Sequence, residues 1–180
     1  KNKRFKNLIY LISKNSVVGV HPSYYSNQNI NFIEIEKKRL EEITDQRIVS
    51  SRQHYLKLNF PNTYQNLSKF HILNDYTMGY SDQPGFRAST CTPFYFYDLE
   101  EEKKVNLKIH PFAYMEVTFH TYLKMSPLEA AKIIDSIIKD VKKVDGTFIS
   151  LWHNESLSEN KLWKGWRFVF ESTLKTVFAK

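Results

Sequence analysis

Short apolar segments rich in β-branched residues alternate with amphipathic helical segments along this 180-residue chain. Alternation of this kind is typical of parallel βα units, in which helices cover a sheet built by the strands. The pattern predicts strands at residues 17–20, 48–51, 72–75, 107–110 and 147–152, and helices at residues 3–14, 29–44, 61–70 and 162–178, with a further helix between Ser126 and Gly146. We therefore expect a single α/β domain over residues 1–180, with an irregular segment at residues 76–106.

Composition narrows the function classes. Apolar residues make up 42% and charged residues 25%, as in ordinary globular proteins, so disorder and coiled coil are excluded. No apolar run approaches the roughly 20 residues that cross a bilayer, so no membrane span is expected. The only cysteine, Cys91, excludes an internal disulfide and fits a cytoplasmic location. The net charge of +7 leaves nucleic-acid binding open. No recognition motif supports such binding, and we do not expect a nucleic acid as partner.

Polar side chains follow the predicted strands at the points where these end. They are His21, Arg52, His54, Asp75, His110 and His153. Because the carboxyl ends of parallel strands open on one face, where active sites are built, we predict that His21, Arg52 and His153 share a pocket. The alternative for each histidine is a structural, hydrogen-bonded position at the border of the core.

Three segments resemble, in order, signature segments of the NodB-like polysaccharide deacetylases, namely residues 19–25, 51–55 and 149–154. Residues 75–90 are similar to a divergent bacterial branch of that family. The resemblance implies an irregular (β/α) barrel that removes acetyl groups from N-acetylated sugars with a divalent metal, zinc above all. The acidic motif that opens the family pattern does not occur here, so we expect the barrel to be incomplete at its N-terminus.

The family's metal motif, H-[ST]-x-x-H, is matched only in part. His21 stands at its first position, whereas Pro22 and Tyr25 replace the Ser/Thr and the second histidine. Our hypothesis is that His54, from the neighbouring strand end, supplies the missing nitrogen. A purely structural role for His54 is the alternative.

The resemblance also implies catalytic roles. Arg52 begins a segment similar to R-x-P-[YF], so it would hold the catalytic carboxylate, and the backbone N–H of Tyr55 would stabilise the oxyanion. His153 ends an L-x-H match and would protonate the leaving amine. Asp75 is similar to the acidic position that tunes that histidine.

Two functions therefore compete. The first is hydrolysis of the N-acetyl amide of an amino sugar or glycan, and the second is glycan binding by a catalytically inactive relative, which Tyr25 favours. In both, an N-acetylated carbohydrate is the partner, and flat sugar faces would stack on aromatic rings. The candidates for stacking are Tyr24, Tyr76, Tyr80 and Trp152.

Overall fold

The computed structural model describes residues 2–179, which divide into two compact units. The first unit contains residues 2–77 and 94–110, and the second contains residues 78–93 and 111–179. Each unit combines helices with strands, so the predicted mixed α/β class is confirmed. The single domain over residues 1–180 stays a prediction.

Three helices belong to the first unit, and they are α1 (Lys3–Ser13), α2 (Asn31–Thr44) and α3 (Asn62–Lys69). The side chain of Asn2 caps α1 by accepting the backbone N–H groups of Arg4 and Phe5. Each helix lies within two residues of its predicted bounds. Apolar periodicity was therefore a sufficient signal for α1 and α2, whereas α3 was predicted from the proline at its start.

The sheet of the first unit has four strands, β1 (Ser50–Ser51), β2 (Asn74–Asp75), β3 (Phe94–Asp98) and β4 (Lys103–Ile109), in the order β1-β2-β4-β3. The pairs β1–β2 and β2–β4 are parallel, as the sequence predicts, whereas β3 pairs antiparallel with β4. The predicted strand at residues 17–20 is reduced to one parallel bridge between Val20 and Ser51. Most of the β3–β4 hairpin falls in the segment expected to be irregular.

The second unit contains β5 (Tyr114–Met115), a π-helical turn (Thr118–Tyr122), α4 (Pro127–Lys143), β6 (Ser150–Leu151) and α5 (Trp166–Phe178). Strands β5 and β6 pair in parallel. A reciprocal capping box between Ser126 and Glu129 begins α4. The buried core of this unit includes Tyr114, Phe119, Ile134, Ile138, Trp163 and Trp166.

The irregular (β/α) barrel that the resemblance implies, expected to be incomplete at its N-terminus, is not seen among residues 2–179. Within residues 2–179 the strands form one four-stranded and one two-stranded sheet, and pairing closes neither of them. Four of the six strands are only two residues long, which leaves little backbone to form a continuous ladder. No helix in this range is long and apolar enough to span a membrane.

Candidate functional site

One edge of the four-stranded sheet collects polar side chains from distant parts of the chain. The pairings Val20–Ser51, Ser51–Asp75 and Asp75–Ile109 set four residues in a row across parallel strands. The residues that immediately follow this row lie at the same carboxyl edge, and they are His21, Arg52, Tyr76 and His110. The backbone continues the ladder there, because Arg52 donates to Val20 and His110 donates to Asp75.

The two histidines predicted to bind metal are in direct contact. His21 Nδ1 lies 2.7 Å from the carbonyl oxygen of Arg52, and His21 Nε2 lies 2.8 Å from His54 Nδ1. Because a carbonyl oxygen only accepts, His21 donates from Nδ1 to Arg52, and a second hydrogen bond joins the two imidazole rings. The two rings meet edge to face with centroids 4.8 Å apart.

This pair satisfies part of what a metal requires. A catalytic zinc takes three protein ligands, commonly imidazole nitrogens and a carboxylate. The bond from His21 Nδ1 to a carbonyl is of the kind that orients metal-bound histidines. Between residues 2 and 179, however, no group of three or more His, Cys, Asp or Glu side chains is placed to hold a metal ion. In this range His21 and His54 are two neighbouring imidazoles without a third such side chain, so their role as metal ligands stays a prediction.

Asp75 is buried at the end of β2 and is fully engaged by hydrogen bonds. Its Oδ1 accepts the backbone N–H of Thr77 at 3.0 Å, and its Oδ2 accepts the hydroxyls of Ser51 and Thr77, each at 2.8 Å. Burial raises the pKa of Asp75 to about 6, although these hydrogen bonds and the nearby charge of Arg52 act in the opposite direction. Asp75 thus joins the ends of β1 and β2 beside Arg52.

Arg52 lies in a layer of stacked groups at the same edge. Its Nε donates to the carbonyl oxygen of Tyr76 at 2.9 Å, and its guanidinium carbon lies 6.0 Å from the Tyr76 ring. That ring stacks on His110 with centroids 4.5 Å apart and planes 16° apart. Burial, and then the charge of Lys108, lower the pKa of His110, whose Nε2 lies 2.9 Å from Asn74 Oδ1.

An exposed group of tyrosines borders the histidine pair, and we call Tyr24, Tyr25 and Tyr55 the tyrosine cluster. Tyr55 has a left-handed backbone (φ 55°) and is 77% exposed. Its ring lies 5.9 Å from that of Tyr24 and 4.6 Å from that of His54. The ammonium of Lys57 lies 4.9 Å above the Tyr24 ring. This surface offers aromatic rings beside a cation.

In the second unit, His153 is bound to a carboxylate that the sequence analysis missed. One oxygen of Glu116, Oε1, accepts both the backbone N–H and the ring Nδ1 of His153, each at 2.8 Å. Glu116 is completely buried, whereas the His153 side chain is 46% exposed. The signal was present, since Glu116 directly follows the apolar run at residues 112–115 that contains β5.

The remaining two predicted stacking residues also lie in the second unit. Trp152 packs edge to face against Phe170 at 5.2 Å and against Tyr114 at 6.3 Å, so it contacts core rings. Tyr80 is half-buried.

The predicted site residues are thus divided between the two units. Those of the first are His21, Tyr24, Arg52, His54, Tyr55, Asp75 and Tyr76, and those of the second are Tyr80, Trp152 and His153. That the two groups share one pocket stays a prediction.

Comparison with known proteins gives a structural likeness only. No protein-family model matches the sequence, and no curated protein matches it significantly. A crystal structure from Mycobacterium smegmatis, described as a "putative polysaccharide deacetylase", superposes with a TM-score of 0.66 at 14% identity. The match covers 97% of this chain and 61% of that protein, so the chain spans less than two thirds of its length. The chain has a polysaccharide deacetylase-like fold.

Proposed function

We propose that the protein is a carbohydrate N-deacetylase, which hydrolyses the N-acetyl amide of an amino sugar or glycan. The observation that supports this most directly is the pairing of the buried Glu116 with the half-exposed His153 at the ends of two parallel strands. A carboxylate–imidazole pair in this position suits proton transfer to an amine. The deacetylase-like fold makes an N-acetylated sugar the candidate substrate.

His153 would protonate the leaving nitrogen. Its Nδ1 proton points at Glu116, which makes Nε2 the ring nitrogen that gains and loses a proton. The buried carboxylate also stabilises the imidazolium that precedes proton donation, as in other carboxylate–histidine pairs. We assign this supporting role to Glu116 rather than to Asp75, because Glu116 contacts the ring.

Arg52 and Tyr55 would act on the acyl half of the reaction. The guanidinium of Arg52 is a planar, permanently charged fork that suits a catalytic carboxylate, and the carbonyl of Tyr76 orients it. The backbone N–H of Tyr55 would donate to the tetrahedral oxyanion. Asp75 positions this segment through Ser51 and Thr77.

A divalent metal, with zinc as the candidate, would take His21 and His54 as ligands. When bound, such a metal lowers the pKa of a coordinated water toward neutrality.

Glycan binding without catalysis is the second candidate, and the tyrosine cluster favours it. Exposed rings next to a cation provide stacking surfaces for sugars whether or not a bond is cleaved. Tyr25 occupies the position of the family's second ligand histidine, and its side chain is exposed.

Acetate release from N-acetylglucosamine oligomers tests the proposal. We expect release by the wild-type protein and a loss of at least a hundredfold for His153→Ala. Calorimetric titration with the same oligomers separates the two candidates. Binding without acetate release, equal in both proteins, would support the inactive glycan-binding protein and contradict the hydrolase.

A further inference from the structure

One face of the four-stranded sheet carries cations and aromatic rings well beyond the proposed catalytic residues. Along β4, Leu107 and Ile109 are fully buried, whereas Lys104 and Lys108 alternate with them on the opposite face. The register pairs Tyr95 of β3 with Lys108, so the Tyr95 side chain lies on this opposite face too.

The lysines are placed over the tyrosine ring. Lys104 Nζ lies 4.0 Å and Lys108 Nζ lies 6.0 Å from the centroid of Tyr95, which is 44% exposed. Contacts of this length are cation–π interactions. The ring therefore holds two ammonium groups at the surface.

The same face continues to the carboxyl edge of the sheet. His110 follows Lys108 by two residues, stacks on Tyr76, and so connects β4 to the ring beside Arg52. We call this series the cationic–aromatic strip, and its members are Arg52, Tyr76, His110, Lys108, Tyr95 and Lys104. From β1 to β3 it crosses three strand spacings, or about 14 Å.

Two lysines of the strip, Lys104 and Lys108, carry positive charge outside the ion pairs of the described residues. Neighbouring acids are engaged at the hairpin turn, where Glu101 pairs with Lys103 and Glu102 accepts the hydroxyl of Tyr97. A ligand that supplies anions would therefore complement this face.

We propose that the cationic–aromatic strip binds an anionic polysaccharide, one whose sugars carry carboxylates. This inference rests on the proposed function for its choice of a carbohydrate, and it extends the site at Arg52 along the sheet. Carboxylates would pair with the ammonium groups that the Tyr95 ring holds in place. A nucleic acid fits less well, because Lys104 covers a Tyr95 face on which a base would stack.

Calorimetric titration with polygalacturonate tests the strip. We expect the double variant Lys104→Gln/Lys108→Gln to bind it about tenfold more weakly than wild type. The matched control is Lys139→Gln/Lys143→Gln, which removes the same charge from the exposed side of α4 and should stay within about twofold of wild type.

The outcomes are distinguishable. An equal loss of polygalacturonate affinity in both double variants, or no binding by the wild-type protein, would contradict the proposal that the strip binds this polymer. Tighter binding of single-stranded oligo-dT than of polygalacturonate would show that the strip is a nucleic-acid site and not a glycan site. A selective loss in the strip variant supports the strip even if the protein releases no acetate, a result that would reject only the proposed function. Acetate release without polygalacturonate binding would reject only the strip.

Discussion

A single carboxylate oxygen of Glu116 holds His153 twice, through its backbone N–H and through its ring Nδ1. The two bonds fix both the position of the residue and the tautomer of its imidazole. Oε2 of the same carboxylate is buried without a hydrogen-bond partner in residues 2–179. The hydrogen bonds of this carboxylate both go to one histidine, so a substitution of Glu116 acts directly on His153.

Glu116→Gln tests the charge of this pair. The amide oxygen can still accept from His153, so the geometry is largely kept while the negative charge is lost. We expect kcat for acetate release to fall about 10²- to 10⁴-fold, with little change in KM.

Glu155→Gln is the control for Glu116→Gln. It removes the same charge from an exposed position two residues from His153. An equal loss of kcat in both variants, or wild-type kcat in Glu116→Gln, would contradict the role of the pair.

His54→Ala tests the metal hypothesis. We expect zinc affinity, measured by calorimetry, to drop at least tenfold, because one of two imidazole ligands is removed.

His71→Asn serves as the comparison for His54→Ala. His71 is exposed at a left-handed position (φ 57°), which asparagine tolerates. If zinc affinity is unchanged in His54→Ala, or falls equally in His71→Asn, then the pair is not the metal site.

Asp75→Asn tests the buried carboxyl group. The pKa of Asp75 is raised to about 6 from an ordinary value of 3.8, so between these values the folded protein binds more protons than the unfolded chain. The free energy of unfolding should therefore decrease as pH rises from about 4 to about 6, by up to about 3 kcal/mol.

Urea unfolding at several pH values measures this effect. The decrease should be absent in Asp75→Asn, whose amide does not titrate. Parallel pH profiles for the two proteins would show that Asp75 is not the responsible group.

Ser126→Ala tests the cap of α4. The Ser126 hydroxyl accepts the N–H of Glu129, and its loss should lower the free energy of unfolding by about 1 kcal/mol. Ser136→Ala, at an exposed position inside the same helix, should be neutral or slightly stabilising. Equal effects of the two substitutions on urea unfolding would exclude a capping contribution.

Local signals explain which elements could be predicted. Helix α4 has every local signal of a helix, namely a capping serine, a first-turn proline and apolar residues in the 3.6 period. The sequence signal for strand β3 is weaker, because its aromatic residues follow a segment rich in Gly and Pro that indicates a loop. Strand β5 is only two residues long, which is too short for periodicity.

Those parts of the candidate site that lie at the ends of predicted parallel strands could be predicted from the sequence. His21, Arg52 and Asp75 were placed at strand ends by the alternation of elements, and the parallel register brings those ends to one edge. The contact between His153 and Glu116 depends on the pairing of two very short strands, and sequence periodicity carries no information about that pairing. The contact between His21 and His54 was a hypothesis from proximity alone.

The row Val20, Ser51, Asp75 and Ile109 joins segments that are 31, 24 and 34 residues apart in the chain. Pairings of such long sequence separation form slowly, because chain entropy is lost before any contact compensates for it. The sheet edge at which His21 and Arg52 lie therefore forms only when the strands pair. Peptides cut from either segment will not reproduce its chemistry, and a mutation that merely delays strand pairing will lower the yield of competent molecules without touching a single reactive group.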